Sequence, residues 1–312
     1  MTRIRARQFS AGLALIVGIS LAATACGSAG ATATSPTASN SPAPAADAIN
    51  ETPQPDLVKL LPQRIKDSNK FTLGVALGSP PDEFKDASGN TVGWEVDLAR
   101  LVAQSLGLQL EMQPISFDSM IPSLQAKRVE AGIGQMGVTE VRQKAIDQIG
   151  WLWGDELFAA KANSTLKVDS LDSLCGISVA TTRGSREYGF AMDQKPKCEA
   201  AGKKPIDIQV FNDGVQAADS MMNGRTQVFW LGSTAVGYFV EQTKGQAKVI
   251  GHYTDPSYIG IALPKTSDMS QAVAAAIQHT IDDGTYKKVL TKWGLPSSAV
   301  DKAMLNPSSA AK

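Results

Sequence analysis

Apolar positions change their period repeatedly along the chain, and each change predicts an element. Phe71-Thr-Leu-Gly-Val-Ala-Leu is a β-prone run that predicts a strand. After a turn at Ser88-Gly89-Asn90, the spacing of Leu98, Leu101, Val102 and Leu106 puts one apolar face on a helix over 96–106, which Gly107 ends. Residues 108–112 read as a strand, Asp118 caps a helix that turns Met120, Ile121 and Leu124 inward, and 130–134 read as a short buried strand. Thr139 caps a further helix that runs through Ile146. Strands over 177–180, 206–211 and 227–231, with a helix over 213–222, continue the alternation, which predicts an α/β fold with mostly parallel sheets.

The N-terminal pattern is different. Three arginines, Arg3, Arg5 and Arg7, precede an apolar run over 11–23 and then Thr24-Ala25-Cys26-Gly27. A basic start, an apolar stretch too short for a permanent span and small residues before a cut are the layout of an export signal, expected over 1–25. Cys26 resembles the acylated cysteine of a bacterial lipobox, although Ala23 stands where that motif carries leucine; an ordinary cleaved signal is the other reading. From Gly27 to Pro55 the chain is almost entirely Ala, Ser, Thr, Pro and Gly, too poor in large apolar groups to offset ordering, and a tether is expected over 26–69.

Charge and cysteine usage narrow the function. With 30 basic and 30 acidic residues there is no cationic excess for a phosphate backbone, so nucleic acid is not expected as a partner. Apart from Cys26, Cys175 and Cys198 are an isolated pair in an exported chain, which argues for one disulfide. The alternative, a metal site with His252 and His279, has no recognisable ligand spacing, and none is expected.

Several segments in order carry a resemblance that covers nearly the whole exported chain. Gly93-Trp-Glu-Val-Asp-Leu-Ala, Phe117-Asp-Ser-Met-Ile-Pro-Ser-Leu-Gln-Ala-Lys and Gly137-Val-Thr-Glu-Val-Arg-Gln-Lys-Ala-Ile-Asp resemble successive elements of the polar amino acid-binding family (family 3) of extracellular solute-binding proteins of ABC importers. Leu174-Cys-Gly, Lys197-Cys-Glu-Ala-Ala-Gly-Lys, Gly260-Ile-Ala-Leu-Pro-Lys and 283–294 resemble its actinobacterial lipoprotein branch. The resemblance implies a two-lobed, type II periplasmic-binding-protein-like fold, with lobe one at 70–158 plus 254–305 and lobe two at 159–253. No cofactor is expected, and with no Ser/His/Asp or Cys/His constellation in the sequence no catalysis is expected either. The resemblance also implies a small-molecule solute held in the cleft, permease subunits as partners, and a monomer lipid-anchored at the extracellular face of the membrane.

Arg142 is the leading site candidate. One turn after a helix start at Thr139 it offers a planar two-pronged donor beside free N–H groups, which suits a carboxylate, and the resemblance gives it the α-carboxylate of an amino acid. On spacing alone it reads equally as a solvated arginine paired with Asp147. Gln135 and Gly137 supply cradle contacts in the family, Ser79 belongs to the same expected set, and Phe117 reads as an apolar wall or as core. Gly184-Ser185-Arg186 matches a loop that closes over the carboxylate, with Ser185 and Arg186 as candidates.

Two departures stand out. Gly232 occupies the place of the aspartate that receives the ammonium group in amino acid binders, and Asp82 replaces an aromatic after the two prolines. A buried ammonium without a carboxylate is costly, so either Asp82 or another acid substitutes, or the solute lacks an ammonium there. Trp151, Trp153 and Trp230 read either as lining of an altered pocket or as core. A dehydratase-like enzyme would need a paired acid and base such as Asp82 or Glu83 with Glu187, and a receptor-docking sensor would share the same fold and closure.

Overall fold

The computed structural model describes residues 49–308. The expected signal 1–25 and Cys26 lie outside the described residues. The strands are β1 Lys70–Val75, β2 Phe84–Lys85, β3 Thr91–Val92, β4 Gln109–Pro114, β5 Ala131–Ile133, β6 Ile146–Lys161, β7 Ser178–Thr182, β8 Asp207–Phe211, β9 Val228–Gly232, β10 Ala247–Pro264 and β11 Met304–Leu305. Nine of them share one sheet in the order β4, β1, β5, β10, β6, β9, β7, β8, with β11 on β6, while β2 and β3 form a hairpin.

The sheet has two parallel ends and an antiparallel middle. β4, β1 and β5 pair in parallel, as do β8, β7 and β9, whereas β10 pairs antiparallel with β5 and β6, and β6 with β9. At about 3.3 Å per residue, the 16-residue β6 and the 18-residue β10 are long enough to run through both halves. Their shared ladder is interrupted by bulges, the widest between Tyr253 and Ser257. Bulges bend a ladder without cutting it, so the two halves are joined by continuous but flexed strands.

Each half has its own core. Phe71, Leu73, Trp94, Leu98, Leu101, Trp151, Ile261 and Ile277 pack in one, and Phe158, Val179, Cys198, Val228 and Trp230 in the other, with Phe229, Met221 and Val236 in a cluster on its far sheet face. The helix Trp94–Ser105 contributes the predicted apolar face. It follows Gly93, whose φ of 140° and carbonyl neighbour leave no room for a side chain: a Cβ would lie 2.0 Å from the Asp82 carbonyl oxygen. Cys175 and Cys198 form the expected disulfide, tying the helix Arg186–Ala200 to the turn Leu171–Leu174 across the second core.

Three expectations are corrected. The tether expected over 26–69 does not reach 69, because Pro55–Lys59 and Gln63–Ser68 are helices and Leu61 and Ile65 are buried in the first core. The helix opened by Thr139 stops at Gln143, and Ile146 instead begins β6. Asp118 lies in the first turn of the helix Phe117–Gln125, whose N-cap is Ser116.

Candidate functional site

The carboxyl ends of β1, β5, β7 and β9 converge on a cleft between the halves, where open sheets leave backbone groups and helix starts unpaired. The cleft holds about 560 Å³, its solvent-open mouth included, and is lined by Ser79, Phe117, Gln135, Gly137, Arg142, Ser185, Arg186 and Gly232 together with Glu156, Glu187 and Asp213. Eight of the ten expected ligand-binding residues are thus brought together. The other two, Thr139 and Asp82, stand behind the wall.

Thr139 acts on Arg142 from behind. Its hydroxyl accepts the Arg142 backbone N–H at 3.1 Å and so caps the short helix Glu140–Gln143 that carries the arginine. The guanidinium donates from Nη1 to the Gly137 carbonyl at 2.7 Å and from Nη2 to the Gly184 carbonyl of the opposite half at 3.3 Å. It lies over the Phe117 ring, 5.3 Å from the centroid. Asp147 is not its partner: that carboxylate takes Lys265 at 3.0 Å and Asn306 at 2.9 Å. Burial pushes the Arg142 pKa down to about 10, with Arg186 adding to the effect and Glu187 opposing it, so the group stays cationic at neutral pH.

Arg186 is committed inside the protein. Its Nε and Nη2 donate to Glu156 and its Nη1 to Ser257, and Asp255 lies 3.6 Å from Nη1. Ser185 is likewise occupied, capping the helix Arg186–Ala200 by accepting from the Tyr188 N–H at 3.1 Å and lying 3.2 Å from the Thr181 hydroxyl. Burial, and then the carboxylate of Glu187 beside it, push Glu156 well above the usual carboxylate range despite Arg186. Two carboxyl groups crowded at one corner of a cleft favour a cation there.

Asp82 is not among the residues that line the cleft. Its carboxylate is fully buried, accepts the Trp94 indole N–H at 2.5 Å and lies beside Thr234 of the opposite half. It belongs to a buried acidic set with Glu83 and Glu95, whose own carboxylate accepts the Gln135 backbone N–H at 2.7 Å. Desolvation, and next the neighbouring Glu95, push Asp82 up to about 8.

The space at Gly232 is taken by Gln135. A Cβ on Gly232 would lie 2.3 Å from Gln135 Nε2 and 2.6 Å from its Oε1. Gln135 has a left-handed backbone with φ 50°, and its Nε2 donates to Thr234 Oγ1 across the cleft at 2.5 Å. A neutral amide bridging the halves therefore stands where a carboxylate was looked for.

Among the described residues no tryptophan lines the cleft. Trp151 and Trp230 are fully buried in the two cores, and Trp153 stacks on Tyr258 with centroids 4.0 Å apart. Glu156 and Asp213 were not picked out from the sequence. Glu156 stands directly after Asp155 in β6, and nothing in its spacing marks it; Asp213 is absorbed into the prediction of a helix start, and it does cap Gly214–Met222 through the Gln216 N–H at 2.8 Å.

A two-lobed α/β fold with one polar cleft between its halves defines a solute-binding protein of the periplasmic type. Residues 71–296 match the model of the bacterial extracellular solute-binding proteins, family 3, and the chain belongs to that family. The arginine-binding protein ArgT of Corynebacterium glutamicum is 30% identical over 255 residues, which cover 81% of this chain and 84% of that protein. The L-cystine-binding protein TcyJ of Escherichia coli is 26% identical, with 74% and 84% covered. Among solved structures, an ancestral arginine-binding protein bound to arginine superposes with a TM-score of 0.66 at 27% identity, over 72% of this chain and 98% of that one. The ancestral amino acid-binding protein AncCDT-1, a precursor of cyclohexadienyl dehydratase, shares the fold at 23% identity and a TM-score of 0.67. Among the described residues no helix is long and apolar enough to cross a membrane.

Proposed function

We propose that this protein captures a basic α-amino acid outside the cell and presents it to an ABC importer. The observation that carries the reading is the charge inventory of the cleft. Arg186 is paired within the protein with Glu156, and Asp255 lies 3.6 Å away, which leaves Arg142 as the lining cation turned to a solute, beside the acids Glu187 and Asp213. That is the complement of a solute with one carboxylate and two cationic groups. Arg142 receives the carboxylate through charge-assisted bonds, and Glu187 and Asp213 receive the amine and the side-chain cation. Arginine-binding relatives support the same class.

The lobes run over 70–158 plus 254–305 and over 159–253, so that both boundaries fall inside β6 and β10, and solute contacts from both sides favour closure. The closed, loaded form docks on the permease as a monomer held by a lipid on Cys26. The protein works by binding and performs no chemistry on its solute. The test is a thermal-shift panel of arginine, lysine, ornithine, glutamine, cystine, dicarboxylates and sugars. Stabilisation by the basic amino acids supports the reading, and stabilisation by sugars or dicarboxylates alone overturns it.

A further inference from the structure

Far from the cleft, three side chains from distant parts of the sequence converge on one point. Glu51 comes from the first described segment, whereas His279 and Asp283 stand four residues apart, on one face at the end of the helix Ser270–Asp282. Their ligand atoms all lie within 4.8 Å of one another. His279 Nε2 is 3.5 Å from Glu51 Oε2 and 3.5 Å from Asp283 Oδ2. Neither contact makes a hydrogen bond, and both are longer than the usual range of about 2.7–3.2 Å. With metal–ligand bonds of about 2.1 Å, two ligands of a tetrahedral zinc stand roughly 3.4 Å apart, and the observed spacing fits that edge.

The surroundings point the same way. The Glu51 side chain is only 6% exposed, and its Oε1, like His279 Nε2, is buried without a hydrogen-bond partner. Unpaired polar atoms of this kind are costly unless something satisfies them. Asp283 is preset: its Oδ1 accepts the Thr285 N–H at 2.9 Å and the Thr285 hydroxyl at 2.7 Å, which leaves Oδ2 for His279. The Glu51 backbone is fixed by its N–H donating to Gln104 Oε1 at 2.9 Å. The carbonyl end of the helix adds negative potential.

We propose that Glu51, His279 and Asp283 bind a divalent transition cation of the zinc class, with a fourth position open to water, and that the cation fastens the segment around Glu51 to this helix. One nitrogen and two oxygens of this kind suit zinc better than calcium or magnesium, which prefer all-oxygen shells.

The purified exported protein, stripped with chelator and dialysed against zinc chloride, is expected to take up one zinc per chain and to melt several degrees higher. His279→Ala and Asp283→Asn each weaken binding by about tenfold or more. His252→Ala, at the only other histidine, leaves binding unchanged. Amide exchange over 51–54 slows in the zinc-loaded protein. Substoichiometric zinc, zinc uptake unaffected by His279→Ala, or loss through His252→Ala would each overturn the site and leave His279 as an ion-pair partner of the two acids. None of these results depends on the identity of the solute in the cleft.

Discussion

Replacing Arg142 by alanine is expected to remove the proposed carboxylate clamp while leaving the fold intact. The guanidinium gives a bound carboxylate two charge-assisted hydrogen bonds, each of about 1.5–3 kcal/mol. Even a total of about 3 kcal/mol corresponds to roughly 150-fold in Kd. The stability cost is small for a structural reason. The Gly137 carbonyl that Arg142 engages also accepts from Gln148 Nε2 at 3.2 Å, so the substitution does not orphan it. Burial disfavours the charged guanidinium, as its pKa of about 10 shows, so deleting the charge removes an opposing contribution. Arg142→Ala is therefore expected to weaken calorimetric binding of a basic amino acid by about 100-fold or more while moving Tm by no more than about 2 °C. Arg142→Lys keeps the charge without the planar fork and falls between. A Kd within threefold of the unaltered protein would refute the clamp.

Gly232→Asp displaces the Gln135 amide, costs its bond to Thr234 and places an acid in the cleft; α-amino acids are then expected to bind about tenfold tighter by calorimetry, while des-amino analogues do not gain. Asp82, with a folded pKa of about 8 against about 4 when unfolded, binds a proton in the folded state that the unfolded chain releases. That contribution is complete below about pH 4 and lost as pH rises through about 8, so Tm is expected to fall between about pH 5 and 9 and to fall less steeply in Asp82→Asn. Removing the disulfide by Cys175→Ser with Cys198→Ser is expected to cost about 3 kcal/mol, or roughly 6–12 °C in Tm by calorimetry, without changing solute affinity.

How far the sequence carries the fold can be seen element by element. Strands and helices marked by a change of period, such as β1, the helix Trp94–Ser105 and the helix Gly214–Met222, fall within a few residues of where the pattern places them. β6 and β10 were not legible as long strands, because Gly150 and Gly154 punctuate the one and Gly251, Asp255-Pro256-Ser257 and Gly260 the other, residues that read as turns rather than as strand interior. The cleft was legible as a set of residues, yet their roles were not. Arg186 reads as a clamp but is consumed by Glu156, a residue 30 positions away on the connecting strand. Asp82 reads as a stand-in acid, but its carboxylate is buried outside the cleft lining, on the Trp94 indole N–H. Gln135 reads as one of the cradle contacts, and only the bond to Thr234 and the space at Gly232 show that its side chain spans the cleft.

The most direct test of the central claim is a pair of calorimetric titrations of the purified protein, with L-arginine and with agmatine, which is arginine without its carboxylate. The proposed site is expected to bind one arginine per chain at about micromolar Kd, worth about 8 kcal/mol, and agmatine at least about 100-fold more weakly. Equal affinity for the two, or no binding of any basic amino acid, would contradict it.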